Sequence, residues 1–497
     1  MTHNQYELNA HTHITSEQVN ITPSSESILA ELGIEPTKLK SIKPRWERTQ
    51  YRAIINWLTK YKPLPEASNL EKVKGLLEVF FHLCEVEDWK RANKIIFTSL
   101  NTLTNEELHA QLDTWGYYSQ QFDLYIKILG KLNPSLDTIF SNCIGNTYYF
   151  RGNYHQAIDY YQQALMLAIK LDDKLRVGEA LGNLGNSYSL LGIYDKAFDY
   201  QQQSLKLARE IKDVQGEAEV LRDLGAICYF QGDYNQAIDY YQQALTLVRK
   251  IDNRQRESEI LGNLGSSYYS LENYEQAIDY YQQALGLAQE IGYSRGEGSA
   301  LGNLGNAYYS QKDYEQAINY QKQSLVLARK IGNKEGEAIA LAGLALAYEQ
   351  SLVIAEEIND QNGKMTALSG LGSAYSLLGD YTQAVDYYKQ YLVIAEKIED
   401  NWRQGAVLCN LGENSIKLDQ YSQALEHLQK GLQIFIKIGD SPAQAEVLNN
   451  LAIVHQKLGN YHLALEYCNQ ALVIAIQLQL PLAQECQELI KQLENND

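Results

Sequence analysis

A five-residue block, Leu-Gly-Asn-Leu-Gly, returns at regular intervals along this chain of 497 residues. It begins at Leu181, Leu261 and Leu301, and variants of it begin at Leu221 and Leu341, so each step is forty residues. A fixed period of this size is the signature of a repeat architecture, in which every unit is a small motif that packs only against its neighbours. A chain too long for one hydrophobic core is therefore predicted to form a stack of repeats.

Each unit has the pattern of two helices joined by a turn. Leu301, Leu304 and Tyr308 fall on one face of a first helix. The pair Lys312-Asp313 interrupts that helix, and a second helix runs from Tyr314 to Ile331. One such hairpin cannot bury its own apolar face, so its neighbours in the stack must cover it.

The unit resembles a known repeat family. The resemblance to the tetratricopeptide repeat rests on Leu301, Leu304, Gly305, Tyr308, Tyr314, Ala317 and Ser324. The forty-residue period is similar to that of the longer subtype in G-protein-signalling scaffolds and kinesin light chains. The resemblance implies an all-α fold: a right-handed α-solenoid of helical hairpins whose first helices line a concave groove. It also implies a role in binding other proteins.

The pattern divides the chain into seven segments. The first two differ from the rest, because 1–37 is a polar tail, predicted to be disordered apart from a short helix, and 38–68 is a basic helical lead-in. The basic stretch 38–62 has two interpretations: a helix that caps the stack, or an element that docks on the acidic part of the groove. The remaining segments are two degenerate repeats (69–137), five regular repeats (138–337), a truncated repeat (338–364), three repeats (365–481) and a capping helix (482–497).

One repeat is shorter than the others. The blocks that begin at Leu341 and Leu368 are only twenty-seven residues apart, and the missing part is the turn and the first half of the second helix. The remaining residues are strong helix formers, which predicts one long helix from about Glu335 to Asn359. Such a helix would interrupt the solenoid and split it into two blocks, about 69–340 and 360–497. The alternative is a break at Glu349-Gln350, with a short hairpin that keeps the solenoid in register.

Charge and motifs exclude several classes of function. The formal net charge of −18 disfavours binding to nucleic acid. The chain contains no phosphate-binding loop, no catalytic-triad motif and no Cys-x-x-Cys pair, which predicts no catalytic residues, no metal and no cofactor. It shows no signal peptide and no uninterrupted apolar run of eighteen residues, so we expect a cytoplasmic protein without membrane insertion. The oligomeric state stays open.

The first helices offer the best candidate for a binding site. Beside the apolar stripe that forms the core, a second stripe carries glutamate, asparagine and tyrosine side chains. Asparagine both donates to and accepts from a peptide backbone, and tyrosine adds rigid contact area with a hydroxyl. We call the following residues the groove stripe: Glu179, Asn183, Asn186, Glu219, Tyr229, Glu259, Asn263, Tyr269, Asn303, Asn306 and Tyr309.

Two functions fit this pattern. The first is a non-enzymatic scaffold or adaptor, which holds a peptide segment of a partner protein in the groove during signalling or complex assembly. The second is a receptor for a short signalling peptide, which controls a response regulator by a change in the superhelix. Because the groove stripe contains three glutamates, the ligand is expected to be basic or neutral.

Overall fold

The computed structural model describes residues 21–102 and 104–494. Within these residues the chain forms α-helices, one short 3₁₀ helix and a single isolated antiparallel bridge between Ser99 and Glu107. The contacts define two compact units, which meet inside one helix between Leu247 and Val248. Of the tail 1–37, for which disorder apart from a short helix is predicted, residues 1–20 lie outside the described residues, and the short helix is Ser25–Leu32.

The first unit begins with short helices and continues with regular hairpins. Its helices are α1 (Ser25–Leu32), the 3₁₀ helix (Pro36–Ser41), α2 (Arg45–Lys60), α3 (Asn69–Glu85), α4 (Trp89–Ile96), α5 (Leu108–Thr114), α6 (Tyr118–Ile128), α7 (Pro134–Phe150), α8 (Tyr154–Lys170), α9 (Lys174–Leu190), α10 (Tyr194–Ile211), α11 (Val214–Phe230) and most of α12 (Tyr234–Lys250).

The second unit takes the end of α12 and continues with consecutive helices to the C-terminal region. These helices are α13 (Arg254–Ser270), α14 (Tyr274–Glu290), α15 (Ser294–Ser310), α16 (Tyr314–Lys330), α17 (Lys334–Glu357), α18 (Gln361–Leu378), α19 (Tyr381–Lys397), α20 (Asn401–Lys417), α21 (Tyr421–Ile438), α22 (Ser441–Lys457), α23 (Tyr461–Gln477) and α24 (Leu482–Glu494).

Local sequence sets where the helices stop and start. The turn from α9 to α10 passes through Gly192 in the left-handed region, at φ 74°, where glycine carries no steric penalty. The next turn uses Lys212 at φ 61°, a conformation that costs a residue with a side chain about 1 kcal/mol. Asp213 then caps α11, because its carboxylate accepts the backbone N–H of Gly216.

Close packing within a hairpin depends on one glycine in the first helix. A Cβ atom built on Gly265 of α13 would lie 2.6 Å from the ring of Tyr281 in α14. Gly145 stands in the same relation to Tyr161, one hundred and twenty residues earlier. The second helix then packs onto the next first helix, where Ala277 and Tyr281 share a buried cluster with Leu304 of α15. The all-α solenoid of helical hairpins is therefore confirmed within each unit.

The basic lead-in packs against the first helices of the stack. In α2, the Tyr51 hydroxyl donates to the Asp88 carboxylate at 2.9 Å, and Gln50 bonds the ring of His82 at 2.6 Å. Tyr51 and Ile54 are buried there, whereas Arg52 and Lys60 stay exposed. The two interpretations of 38–62, a cap of the stack and an element that docks on the groove, stay predictions.

The shortened repeat contains one uninterrupted helix, α17. It runs from Lys334 to Glu357, where the sequence predicts a helix from about Glu335 to Asn359, and it packs against α16 and α18. The compact units divide inside α12 and not at this helix, and the split into blocks 69–340 and 360–497 stays a prediction. Among the described residues, α17 is also the one helix long and apolar enough to cross a membrane, a test that the core helix of a repeat passes as well.

Candidate functional site

The groove stripe lies on four first helices. In the first unit, Glu179, Asn183 and Asn186 lie on α9, and Glu219 and Tyr229 lie on α11. In the second unit, α13 carries Glu259, Asn263 and Tyr269, and α15 carries Asn303, Asn306 and Tyr309. None of the eleven side chains is buried; ten are partly exposed and Asn306 is exposed.

Three asparagines at the same position of the repeat are held in one orientation. The Tyr161 hydroxyl of α8 donates to Asn146 Oδ1 at 2.8 Å. The Gln201 amide of α10 donates to Asn186 Oδ1 at 2.7 Å, and in the second unit Gln321 donates to Asn306 Oδ1 at 3.0 Å. Because each bond uses the carbonyl oxygen, the Nδ2 group of each asparagine keeps its donors for another partner.

Other asparagines are bonded within the stack. Asn183 Nδ2 donates to Asn142 Oδ1 at 2.9 Å and is 3.5 Å from Asn146 Oδ1, so it links α9 to α7. Some asparagines of this surface therefore stabilise contacts between neighbouring repeats in the first unit. The Asn183 side chain is then fixed in position, with its carbonyl oxygen left as an acceptor.

The glutamates of the stripe have partners on their own helices. Arg176 pairs with Glu179 at 2.7 Å, and Arg256 pairs with Glu259 at 2.7 Å. Burial raises the pKa of Glu259, but the hydrogen bond and the positive charge of Arg256 outweigh it, and the net pKa is lowered. Glu259 also accepts the hydroxyl of Tyr293 at 3.1 Å. The stripe is consequently less negative than its glutamates alone suggest.

The tyrosines of the stripe are held by neighbouring side chains. The hydroxyl of Tyr269 lies 2.8 Å from Ser310 Oγ, which joins α13 to α15. The ring of Tyr309 meets that of Tyr314 edge-on, with centroids 5.5 Å apart. Burial raises the pKa of Tyr309, so its hydroxyl stays protonated at neutral pH. These side chains present rigid rings with a hydroxyl donor.

Sequence reasoning left out three residues of the same surface. Asn142 and Asn146 on α7 take part in the asparagine bonds of the first unit. Asp223 on α11 pairs with the neighbouring Arg222 at 2.6 Å. The forty-residue spacing could have found two of them, because Asn146 stands forty residues before Asn186 and Asp223 stands forty after Asn183.

One partly exposed chain of polar side chains outside the stripe resembles catalytic machinery. Glu107 lies 2.9 Å from one ring nitrogen of His109, and the Tyr125 hydroxyl lies 2.7 Å from the other. The nearest thiol is Cys143, whose pKa burial raises to about 11, so it is protonated and not a nucleophile at neutral pH. In the parts of the chain that the structure describes, no group of three or more His, Cys, Asp or Glu residues is placed to hold a metal ion.

Comparison with solved structures finds proteins that resemble this chain in fold alone. A signal-transduction ATPase with a tetratricopeptide repeat sensor from Pyrococcus horikoshii is 18% identical; the match covers 81% of this chain and 63% of that one, with a TM-score of 0.48. Aspartyl phosphate phosphatase F from Bacillus subtilis is 15% identical over 85% and 95% of the two chains, with a TM-score of 0.42. The quorum sensor NprR from B. thuringiensis is 15% identical over 66% and 99%, with a TM-score of 0.40.

Comparison with protein families is more direct, whereas no curated protein is significantly similar to this chain in sequence. A family described as tetratricopeptide repeat matches residues 135–210, 216–290, 296–351 and 403–477. A second family of the same description matches residues 367–401. The matches cover more than half of the chain, and they coincide with the hairpins from α7 onward. The chain belongs to the tetratricopeptide repeat family.

Proposed function

We propose that the protein is a non-enzymatic scaffold that binds a peptide segment of a partner protein along its groove stripe. The observation that carries the proposal is the set of anchored asparagines. Asn146, Asn186 and Asn306 each have their carbonyl oxygen bonded from the second helix, and each keeps an amide donor at a partly or fully exposed position. Donors fixed at repeated positions suit the carbonyl groups of an extended peptide.

The chemistry of the surface favours binding over catalysis. Amides, hydroxyls and paired carboxylates supply hydrogen bonds, and none of these groups is an activated nucleophile or a base next to one. Preorganised side chains lower the entropy that is lost when a ligand binds. We therefore propose an adaptor that works in the cytoplasm, in signalling or in complex assembly.

An isosteric pair of substitutions tests the stripe. Asn146→Asp with Asn186→Asp keeps the carbonyl-type acceptors for Tyr161 and Gln201 and removes the amide donors. Peptides selected from a random phage library on the wild-type protein are the probes, and fluorescence anisotropy gives their affinity. We expect the double variant to lose about 1 to 2 kcal/mol of binding free energy, because two hydrogen bonds to the peptide are lost.

A matched control is Asn319→Asp, an exposed asparagine on the second helix α16. The control should bind the selected peptides with the affinity of the wild-type protein. Equal affinity of all three proteins would contradict binding along the stripe. A failure of the selection to enrich any peptide would contradict the proposed function as a whole.

The three glutamates test the expected charge of the ligand. We propose that the selected peptides are basic or neutral, since Glu179, Glu219 and Glu259 stay partly exposed despite their partners. Reversal of all three to lysine should weaken a basic peptide by up to about 1 kcal/mol for each position. Enrichment of acidic peptides at the stripe would contradict this part of the proposal.

A change in particle dimensions on peptide addition, measured by small-angle scattering, would favour the signalling-peptide receptor.

A further inference from the structure

The shortened repeat leaves a cavity in the second unit. Its volume is about 670 Å³, and helices α16, α17, α18, α19 and α20 supply its lining. This volume falls within the range of about 300 to 1,000 Å³ that ligand sites in proteins occupy. The cavity is separate from the groove stripe, because it is lined by none of the eleven stripe residues.

The cavity lies where the regular repeats place an aromatic pair. In the repeat before it, Tyr308 of the first helix stacks on Tyr320 of the second, with ring centroids 5.4 Å apart and nearly parallel planes. Tyr348 stands forty residues after Tyr308, and the thirteen missing residues would have supplied its partner ring. Among the described residues Tyr348 stacks on no other aromatic ring; its ring instead packs against Gly370 and forms part of the cavity wall.

The cavity is apolar on one side and basic on the other. Leu377 is the exposed apolar side chain of its lining, and Leu325, Leu341 and Leu344 are buried residues of the same lining. Lys322 lies at its edge with the ammonium group 5.7 Å from the centroid of the Tyr348 ring, and among the described residues it forms no ion pair. Arg403 is the second cation and is 3.5 Å from Asp400. No described Asp or Glu residue lines the cavity, although the whole chain carries a net charge of −18.

We infer that this cavity is a second binding site for a protein partner, and that it takes a bulky apolar side chain from an acidic segment. The apolar surface removes the partner's side chain from water. Lys322 and Arg403 then face the flanking carboxylates, and this charge complementarity selects an acidic segment over a basic one. The inference rests on the proposed function as a peptide-binding scaffold, and it adds a site whose charge preference is the opposite of the stripe's.

A defined peptide tests the cavity directly. The probe is a short fluorescein-labelled peptide in which Leu-Phe is flanked on both sides by Glu-Asp, and anisotropy gives its affinity for the full chain. We expect saturable binding that weakens at least tenfold when the acids become Gln-Asn, or when Leu-Phe becomes Ala-Ala. The same peptide with lysines in place of the acids should not bind.

Two variants of the protein locate the binding. Lys322→Glu should weaken the acidic probe about tenfold. Its matched control is Lys389→Glu, which makes the same charge change at the corresponding exposed position of the second helix α19. Thr366→Trp, at an exposed position on the lining of the cavity, fills the space without changing the charge and should also abolish binding.

A repeat-restoring variant keeps the test independent of single substitutions. A copy of residues 311–323 inserted between Gln350 and Ser351 supplies the missing turn and half-helix, and it should abolish binding of the probe. The inference is overturned if the wild-type protein does not bind the probe, if Lys322→Glu and Lys389→Glu act equally, or if Thr366→Trp has no effect. The probe could instead bind less tightly to the Asn146→Asp, Asn186→Asp double variant and normally to Thr366→Trp. That result would overturn the inference that the cavity binds the probe, and it would leave the proposed function intact.

Discussion

A regular repeat and the shortened repeat of the second unit solve the same packing problem in different ways. In α13 and α14, Gly265 receives the ring of Tyr281, and Tyr268 stacks on Tyr280 at 5.3 Å. In α17 the first helix continues to Glu357, and the second helix that would close the hairpin is missing. A glycine-to-ring contact between other positions of the repeat joins α17 to the next helix, because Gly370 of α18 lies against the ring of Tyr348, which corresponds to Tyr268 and not to Tyr281.

In both repeats a contact between a glycine and an aromatic ring brings two helices together. The rest of the missing helix is not replaced. Ile339, Leu346 and Val353 of α17 stay about half exposed, and the cavity beside Tyr348 stays open. Exposed apolar side chains also occur in the regular repeats, where Val326 of α16 is 67% exposed, so the cavity and not the exposure of α17 distinguishes the shortened repeat.

The largest expected effect comes from a proline that breaks α17 where a regular repeat would turn. Val353→Pro removes one backbone hydrogen bond and clashes with the carbonyl of Glu349, so the free energy of unfolding should fall by about 3 kcal/mol. Val353 is 47% exposed, so the loss of packing adds little. Urea unfolding followed by circular dichroism measures the change.

Glu315→Pro is the control for that substitution in the regular repeat. It places proline in the first turn of α16, as the native Pro442 is placed in α22, and it should change stability little. Similar losses from both prolines would show that the long helix is not a special feature of the shortened repeat.

The second effect concerns the glycine-to-ring contact. Gly265→Ala should lower the free energy of unfolding by about 2 kcal/mol, because the new methyl group would overlap the Tyr281 ring. Gly370→Ala should cost a similar amount against Tyr348 if α18 has taken over the role of the missing helix. The control is Gly262→Ala in α13, where a Cβ atom meets nothing within 4 Å, and it should gain about 0.5 to 1 kcal/mol.

These three alanines are compared by their midpoints of urea unfolding. If the Gly265→Ala variant is as stable as the Gly262→Ala variant, the Tyr281 ring does not pack against Gly265 as described. A loss at Gly265 without a loss at Gly370 would show that α17 and α18 pack by a different contact.

The next effect is smaller than these losses and is a gain in the free energy of unfolding. It is expected in a regular repeat that has glutamine in place of the tyrosine. Gln201 of α10 is buried against Gly185, and its Oε1 has no hydrogen-bond partner. Gln201→Tyr would place a ring on Gly185 and a hydroxyl near Asn186, as Tyr161 does with Gly145 and Asn146. We expect about 1 kcal/mol of added stability from the removal of the unpaired oxygen. A thermal unfolding midpoint at or below that of the wild-type protein would contradict this expectation.

The smallest effect concerns a bond made by the shortened repeat. The Tyr375 hydroxyl of α18 donates to Glu349 of α17 at 2.7 Å, and this hydrogen bond, with burial and the charge of Glu349, raises the pKa of Tyr375 to about 12. A raised pKa means that the contribution is fully present below pH 10 and is lost as pH rises toward 12. Tyr375→Phe should therefore cost less than about 1 kcal/mol at pH 8.

The pH dependence of that cost is the informative measurement. The stability difference between the wild-type protein and Tyr375→Phe should shrink between pH 10 and pH 12. A difference that stays constant over this interval would show that Tyr375 does not depend on Glu349 for its stabilising effect.

The architecture follows from local sequence patterns. The forty-residue period, the alternation of apolar faces and the interruption at Lys312-Asp313 predict hairpins, because helix boundaries depend on residues within a turn or two of each other. The helix-forming residues after Leu341 predict a long α17 for the same local reason. The ion pairs of Arg176 with Glu179 and Arg256 with Glu259 could also be predicted, because their three-residue spacing places each pair on one helix face.

Which asparagines of the stripe keep a free amide donor depends on contacts between helices, and these do not follow from the local sequence. Asn186 depends on Gln201, fifteen residues away on another helix, and Asn183 depends on Asn142, forty-one residues away. The cavity depends on five helices whose spacing follows from packing rather than from any local pattern. Contacts between side chains distant in sequence are fixed by how helices approach one another, and a periodic sequence repeats the helices without recording which polar atoms meet between them.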